Sequence, residues 1–215
     1  MNFDIICFDC DSTLSTIEGI DELAEKVGLG EQMARLTDAA MNGIIPLEAV
    51  YARRLQSIQP SKADIDWLAA LYISEMVEGV AQTFAALLAR GVQVHIISGG
   101  LRPAILPLAQ QLGIDAACVH AVDIYFHEDG TYRDYEQNSP LARSGGKARV
   151  CKQLVSAGKR FAMIGDGKTD MEAAQVGGFT IGFGGVVERD VVRELADVYI
   201  SNADLRAVLP YLLTS

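Results

Sequence analysis

The stretch Phe8-Asp9-Cys10-Asp11-Ser12-Thr13-Leu14 decides the fold and the chemistry predicted for this 215-residue chain. Together with Phe8, the preceding residues 5–7 form an apolar, β-favouring run that is typical of a buried strand. Two carboxylates, Asp9 and Asp11, stand where that strand ends. Carboxylates are costly to bury unless they are paired, hydrogen-bonded or bound to a metal. Because ligands of open α/β sheets bind at the carboxyl ends of the strands, the pattern predicts a cation site beside a reactive site.

The composition is that of an ordinary soluble globular protein, with 50% hydrophobic and 21% charged residues. A net charge of −10 argues against a broad surface for nucleic acid or for an anionic membrane, although a local anion site remains possible on an acidic protein. Asp4 interrupts the first apolar run, which argues against a signal peptide, and no apolar segment is long enough to span a bilayer. These features predict a cytoplasmic protein.

The four cysteines are compatible with two interpretations. The spacing Cys7-x-x-Cys10 occurs in redox sites, but residues three apart on a strand point to opposite faces. Packing thiols are therefore the favoured interpretation, also for Cys118 and Cys151, and they suit a reducing compartment.

Helical periodicity fills the region that follows the first strand. Apolar residues recur at helical spacing in residues 17–27, 32–41, 46–56 and 61–72, and Pro46 and Ser61 are helix-start signals. Nothing in residues 15–74 has the pattern of a strand. We therefore expect an all-helical cap domain of residues 15–74, inserted into an α/β core domain of residues 1–14 and 75–215.

Strand and helix patterns alternate in the remainder of the chain, which predicts a mostly parallel sheet with helices on both faces. Strands are expected at residues 92–97, 161–165, 180–183 and 198–200, with a hairpin formed by residues 122–126 and 131–135. Helices are expected at residues 80–89, 103–112, 147–157, 171–175, 187–195 and 203–213, and Ser98-Gly99-Gly100 is expected to be a turn.

Four polar stretches follow predicted strands or open predicted helices. They are Asp9-x-Asp11-x-Thr13, Ser98-Gly99-Gly100, Ser144-Gly145-Gly146-Lys147 and Gly165-Asp166-Gly167-Lys168-Thr169-Asp170. Each alone is compatible with an ordinary turn or loop. The last stretch is not a phosphate-binding P-loop, since that motif needs a glycine where Ala162 lies. Their common placement predicts one crevice at the carboxyl edge of the sheet.

These residues resemble the motifs of the haloacid dehalogenase superfamily and, within it, of the phosphoserine phosphatases. The superfamily motifs match residues 9–13, Ser98, Lys147 and residues 165–170, and the more specific matches are residues 18–24, 41–43, 54–55, 98–100, 144–147 and 163–167. The resemblance covers nearly the whole chain. It implies a Rossmann-like, doubly wound, mostly parallel core with an inserted helical-bundle cap. It also implies an enzyme that uses Mg²⁺ to hydrolyse a small phosphomonoester, L-phosphoserine, in the last step of serine biosynthesis.

The resemblance also implies a role for each matching residue. Asp9 is the nucleophile that forms an aspartyl phosphate, and Asp11 is the general acid and base. Magnesium would be bound by Asp9, Asp166 and the backbone carbonyl of Asp11, with Thr13 and Asp170 orienting the surrounding groups. The phosphate would be held by Ser98, Gly99, Gly100 and Lys147.

The matching residues in the predicted cap domain are expected to bind the part of the substrate other than its phosphate. Glu18 is expected to bind the ammonium group of phosphoserine and Arg54 its carboxylate. Met41, Asn42 and Gly43 are expected to line the pocket, and Thr169 to touch substrate or phosphate. Two residues depart from the family pattern, namely Leu47, where an aromatic is common, and Arg53, which is either solvated or widens acceptance of anions. His95, His120 and His127 match no family role.

Two other functions stay open at this point. One is a phosphatase or phosphotransferase for a different small phosphomonoester. The other is a non-catalytic phospho-acceptor switch, which also carries an aspartate at a strand end beside Mg²⁺. A general acid at Asp11 and the helical region argue against the switch, because a switch needs neither.

Overall fold

A six-stranded parallel sheet forms the centre of the computed structural model, which describes residues 3–155 and 158–213. Its strands lie in the order β3-β2-β1-β6-β7-β8, and β4 and β5 form a separate antiparallel hairpin. The strands are β1 (Ile5–Phe8), β2 (Gln93–Leu101), β3 (Val119–Val122), β4 (Ile124–Phe126), β5 (Tyr132–Tyr135), β6 (Phe161–Gly165), β7 (Phe179–Phe183) and β8 (Val198–Ile200).

Helices flank this sheet, and the first five of them lie between β1 and β2 in the chain. The helices are α1 (Gly19–Glu25), α2 (Gly30–Met41), α3 (Tyr51–Ile58), α4 (Lys62–Ser74), α5 (Val80–Ala89), α6 (Arg102–Gln111), α7 (Gly146–Leu154), α8 (Lys168–Met171), α9 (Asp190–Leu195) and α10 (Leu209–Leu212). The stretch from residue 19 to residue 74, all of it described, contains helices and no strand. The division into a cap of residues 15–74 and a core stays a prediction.

Strand β1 is buried along its whole length and holds the central position of the sheet. Phe8 pairs with Ile96 of β2 on one side and with Ile164 of β6 on the other. Since the three strands are parallel, their carboxyl ends reach the same edge. The strand order also reverses at β1, because the chain first fills the β2–β3 side and later the β6–β8 side. Such a reversal creates the crevice in which ligands of open α/β sheets bind.

The predicted sheet is confirmed, with two corrections near β2. Strand β3 was not predicted, apart from Val122, because its four residues are too short and too mixed to give a strand signal. Ser98-Gly99-Gly100 is not a turn, since β2 continues through it to Leu101. The register with β3 shifts between Ile97 and Leu101, so the two glycines lie in an irregular part of the strand.

The helix starts were predicted better than the helix types. Ser61 caps α4 as expected, and Asp64 completes a reciprocal capping box. After Pro46 the chain forms a short 3₁₀ turn, Leu47–Ala49, before α3 begins. The last predicted helix is likewise a 3₁₀ turn, Leu205–Val208, followed by α10. Helix α8 passes into a 3₁₀ turn at Glu172, and the predicted end of α7 at residues 156–157 lies outside the described residues.

The buried cysteines bear on the choice between redox and packing roles. Cys7 and Cys10 are both buried, and Cys7 lies against Cys151 of α7 rather than against Cys10. All four thiols are free.

In the part of the chain that the structure describes, no helix has the length and apolarity that crossing a bilayer requires.

Two histidines form a stacked pair on neighbouring strands. Nδ1 of His95 on β2 lies 3.0 Å from Nε2 of His120 on β3, and the two rings are stacked. His95 is only 3% exposed, and its Nε2 has no hydrogen-bond partner among the described residues. Burial, with a smaller contribution from His120, lowers the pKa of His95 to about 4.

This pair is expected to make the fold less stable in mild acid. An unfolded histidine titrates near pH 6.5, so between about pH 6.5 and pH 4 the unfolded chain binds a proton that folded His95 does not. The contribution of His95 to stability, measured as wild type minus His95→Asn, should therefore be constant above that window and fall within it by about 1–3 kcal/mol. Urea unfolding of wild type and His95→Asn at several pH values measures the difference. The exposed His127→Asn is the control and should keep the wild-type profile; identical profiles for wild type and His95→Asn would contradict the prediction.

Candidate active site

Asp9 lies directly after β1 and is held in place by the sheet. Its backbone N–H donates to the carbonyl of Ile164, which continues the pairing of β1 with β6. One side-chain oxygen accepts from the N–H of Cys10 at 2.8 Å, and the other lies 2.7 Å from Nζ of Lys147. At 4% exposure, Asp9 is a buried carboxylate that is both paired and hydrogen-bonded.

Lys147 connects two carboxylates of this site. Its Nζ lies 2.7 Å from Oδ2 of Asp9 and 2.7 Å from Oδ1 of Asp170. Burial alone would lower the pKa of Lys147, but the two carboxylates, Asp170 more than Asp9, hold it above its usual range. Gly145 supplies a left-handed φ of +76° before α7, and a side chain on Gly146 would come within 1.9 Å of the carbonyl oxygen of Pro140. The glycine pair therefore sets where α7 begins and where Lys147 points.

Three buried carboxylates form a cluster at the ends of β1 and β6. Oxygens of Asp9, Asp166 and Asp170 all lie within 4.8 Å of one another. Burial, and secondly the charge of Asp9, raise the pKa of Asp166 to about 7, although Arg189 and Lys147 oppose this. Nε of Arg189 lies 3.4 Å from Asp166. Three carboxylates against two cations leave one negative charge, and all the ligand atoms are hard oxygens, so the cluster fits a divalent metal ion such as Mg²⁺.

Asp11 has surroundings that differ from those of Asp9. Its Oδ1 accepts hydrogen bonds from the N–H of Gly19 at 2.7 Å and from the hydroxyl of Tyr72 at 2.6 Å. Its Oδ2 accepts from Oγ of Ser98 at 3.3 Å. Burial, and then the charge of Asp9, raise the pKa of Asp11 above its usual value, against the effect of these hydrogen bonds. Neighbouring carboxylates with different surroundings are the pattern of a nucleophile beside a proton-transferring group.

A pocket connects these residues with the helices that follow β1. Arg54 of α3 lines it and is 4% exposed, and its Nε has no hydrogen-bond partner among the described residues. Glu18 also lines it and accepts a hydrogen bond from the hydroxyl of Ser12 at 2.7 Å. Burial, and then the charges of Asp11 and Asp166, raise the pKa of Glu18 well above its usual value. The pocket therefore offers a buried cation and a carboxylate with a high affinity for positive charge.

The structure brings most of the predicted site residues together. Those that line the pocket are Asp9, Asp11, Glu18, Met41, Arg54, Gly99, Gly100, Lys147 and Thr169. Ser98, Asp166 and Asp170 lie behind this wall, fully or almost fully buried. Thr13 does so as well and reaches Asp166, with 3.4 Å between its Oγ1 and Oδ1 of Asp166. Thr169 has a buried hydroxyl with no partner among the described residues, as expected for a group that meets a ligand.

Some predicted residues are placed differently from the expectation. Asn42 and Gly43 are absent from the pocket wall; the Asn42 side chain bonds to Asp38, and Gly43 turns the chain with a φ of +70°. Their role in substrate binding stays a prediction. The N–H of Gly100 already donates to Oγ of Ser98 at 2.9 Å, so it is engaged in this structure. Of the two residues that depart from the family pattern, Leu47 lines the pocket and Arg53 faces solvent.

Four residues around the site were missed by the sequence reasoning. Arg189 contacts Asp166, Tyr72 contacts Asp11, Thr37 contacts Arg54, and the hydroxyl of Tyr51 donates to the carbonyl of Gly99 at 2.8 Å. For Thr37 the sequence held a signal, since it precedes Met41 by four residues and so lies on the same helix face. Arg189, Tyr72 and Tyr51 had none, because their contacts depend on how distant elements pack.

Comparison with known proteins places this architecture in a family. A model of the haloacid dehalogenase-like hydrolases matches residues 3–178. The human phosphoserine phosphatase is 40% identical over 201 residues, which cover 93% of this chain and 89% of the human protein. Two solved structures, a substrate-bound phosphoserine phosphatase and a phospho-aspartyl intermediate analogue of phosphoserine phosphatase, superpose with TM-scores of 0.83. Each is 26% identical and covers 99% of this chain and 100% of its own.

Proposed function

The chain belongs to the phosphoserine phosphatases of the haloacid dehalogenase-like hydrolase family, and on that premise we propose that Asp9 and Asp11 carry out the hydrolysis of L-phosphoserine to L-serine and phosphate. One observation supports this most strongly. A single pocket is lined by Asp9, Asp11 and Lys147, which suit phosphoryl transfer, and by Glu18 and Arg54, which suit an amino acid. Few other phosphomonoesters carry an ammonium and a carboxylate group beside the phosphate.

In the first half-reaction, a carboxylate oxygen of Asp9 attacks phosphorus. The new bond joins Asp9 to phosphorus, the bond from phosphorus to the seryl oxygen breaks, and that oxygen takes a proton from Asp11. In the second half-reaction, Asp11 removes a proton from water as the water oxygen attacks phosphorus, and Asp9 is released. The unequal surroundings of the two carboxylates suit this division of labour.

The phosphate dianion repels a carboxylate nucleophile, so the site needs positive charge. Lys147, 2.7 Å from Asp9, supplies one such charge at the reacting group. Asp9, Asp166 and the backbone carbonyl of Asp11 would hold Mg²⁺, with Asp170 fixing Lys147 beside them. When bound there, the ion neutralises phosphate oxygens and the nucleophile. Ser98 and the Gly99-Gly100 backbone lie at the end of β2, beside Asp11, and would contact phosphate oxygens by exchanging the hydrogen bonds that Ser98 now makes with Asp11 and Gly100.

The remaining pocket residues are proposed to recognise serine. The planar guanidinium of Arg54 would bind the carboxylate as a fork, and Glu18 would bind the ammonium group. Met41 would supply apolar wall and Thr169 a hydroxyl. Asn42 and Gly43 would reach the substrate through their backbone. Arg54 is already buried, so pairing with a carboxylate costs its guanidinium little further dehydration.

A substrate panel is the test of this function. Phosphate release is expected to be at least about 100-fold faster with phosphoserine than with a sugar phosphate, because the sugar phosphate has no carboxylate for Arg54 and no ammonium group for Glu18. Phosphothreonine should fall between them, since it adds one methyl group. Chelation of divalent ions should lower the rate at least about 100-fold, and Mg²⁺ should restore it.

Each alternative function predicts a different result in that panel. Equal rates with all three substrates would indicate a phosphatase of broader or different specificity. A phosphorylated Asp9 that persists without phosphate release would indicate a phospho-acceptor switch. A rate that chelation does not change would contradict the metal site.

We also propose that the protein works in the cytoplasm. Four free thiols, three of them buried, support a reducing compartment. Fractionation of cells with an antibody against the chain tests this directly.

A further inference from the structure

A chain of hydrogen bonds links Arg54 to a carboxylate through a neutral hydroxyl. The guanidinium NH1 of Arg54 donates to Oγ1 of Thr37 at 3.0 Å. The hydroxyl of Thr37 in turn donates to Oδ1 of Asp21 at 2.7 Å. Thr37 is 2% exposed and lines the pocket together with Arg54. The direction of this relay is fixed, because a hydroxyl that accepts from a guanidinium has its own proton free for the carboxylate.

The relay is an unusual way to hold a buried arginine. A buried guanidinium is normally paired directly with a carboxylate, which satisfies several of its five donors at once. In this pocket the hydroxyl of Thr37 stands between the two charges, and Nε of Arg54 has no partner among the described residues. Arg54 is therefore fixed in position while much of its charge and hydrogen-bonding capacity stays available to a ligand.

We propose that Thr37 is a positioning residue that determines specificity: it orients Arg54 for the substrate carboxylate and keeps Asp21 from pairing with Arg54 directly. This inference rests on the proposed function, in which Arg54 binds the carboxylate of phosphoserine. Its distinctive element is the neutral spacer. A direct Asp21–Arg54 ion pair would also hold the arginine, but it would compete with the substrate for the same donors.

The relay also joins three helices, since Asp21, Thr37 and Arg54 lie on α1, α2 and α3. A purely structural role would therefore be a different explanation. The two explanations predict different rates for a substrate that lacks a carboxylate. Loss of packing would slow every substrate, whereas loss of orientation would affect only substrates that Arg54 binds.

The test compares phosphoserine with phosphoethanolamine, which keeps the phosphate and the ammonium group but lacks the carboxylate. With Thr37→Val, which preserves the shape and removes the hydroxyl, KM for phosphoserine should rise about tenfold. Its kcat should change less than about threefold, and kcat/KM for phosphoethanolamine should stay within about twofold of wild type. Thr37→Ser, which keeps the hydroxyl, should retain the wild-type ratio of the two substrates. Thr37→Asp, which pairs with Arg54 directly, should raise KM for phosphoserine more than Thr37→Val does.

Arg54→Ala separates this inference from its premise. If Arg54→Ala raises KM selectively for phosphoserine while Thr37→Val slows both substrates alike, the relay is structural and the inference is overturned. A Thr37→Asp enzyme with wild-type affinity would overturn the spacer role in the same way. If Arg54→Ala affects both substrates equally, the proposed carboxylate site itself is wrong. Urea unfolding of each variant confirms that the kinetics are those of folded protein.

Discussion

Replacing Asp9 with asparagine is expected to abolish phosphoserine turnover, with kcat falling by about 10⁴-fold or more. The neutral amide has no anionic oxygen with which to attack phosphorus. It also removes one of the two carboxylates that bind Nζ of Lys147 and one of the three in the buried acidic cluster. Two functions, nucleophilic attack and cation binding, are thus lost in a side chain of almost unchanged shape. Phosphate release under saturating substrate and Mg²⁺ measures the effect.

The exposed Asp66→Asn on α4 is the matched control, since it makes the same chemical change away from the site. It should keep the wild-type rate. The Asp9→Asn enzyme should unfold in urea at a midpoint close to that of wild type or higher, because it relieves repulsion among buried carboxylates. A folded Asp9→Asn protein with a near-normal rate would remove Asp9 as the nucleophile.

Replacing Asp11 with asparagine is expected to have the second largest effect on turnover, and the size of that effect should depend on the leaving group of the substrate. With phosphoserine, kcat should fall about 10²- to 10⁴-fold, because the seryl oxygen leaves as a strongly basic alkoxide unless it is protonated. An aryl phosphate expels a stabilised phenolate and needs no proton. Phosphorylation of Asp9 by an aryl phosphate should therefore proceed at close to the wild-type rate. Hydrolysis of the intermediate should be slow with either substrate, since Asp11 also activates water.

Rapid mixing of Asp11→Asn with an aryl phosphate makes this visible. A burst of about one phenolate per active site should precede very slow turnover. The same variant mixed with phosphoserine should show no burst of serine. Equal slowing of the first step for both substrates would mean that Asp11 acts by holding the metal or the loop, not by transferring a proton.

Much of the core was predictable because its strands carry local signals. Both the fully buried β6 and the half-buried edge strand β8 are short apolar runs, and both were predicted with their observed bounds. Polar residues follow such runs directly, so the crevice at the carboxyl edge could be placed once the strands were known to be parallel. The start of α4 was also predictable from a local signal, since the two residues of its capping box, Ser61 and Asp64, are three residues apart.

The parts that escaped prediction depend on contacts between distant elements. Strand β3 forms because Val119 and His120 pair with Ile96 and Ile97 of β2. The four residues of β3 alone carry no pattern that predicts this pairing. The same holds for Arg189, which lies between β7 and α9 and reaches Asp166 at the end of the neighbouring β6. It also holds for Thr37, whose position between Arg54 and Asp21 follows from the packing of three helices. The residues proposed to recognise the substrate match the family motifs, whereas the contacts proposed to orient them depend on packing and, apart from the helix face of Thr37, left no signal in the sequence.

The central claim is that Asp9 carries the phosphoryl group, and direct location of that group tests it. Asp11→Asn mixed with an aryl phosphate should accumulate the intermediate; acid quenching, borohydride reduction and mass spectrometry then identify the modified residue, since an acyl phosphate is reduced to the alcohol. The account predicts homoserine at position 9, in an amount that matches the phenolate burst. A burst with an unmodified Asp9, or with the modification on another residue, would contradict it.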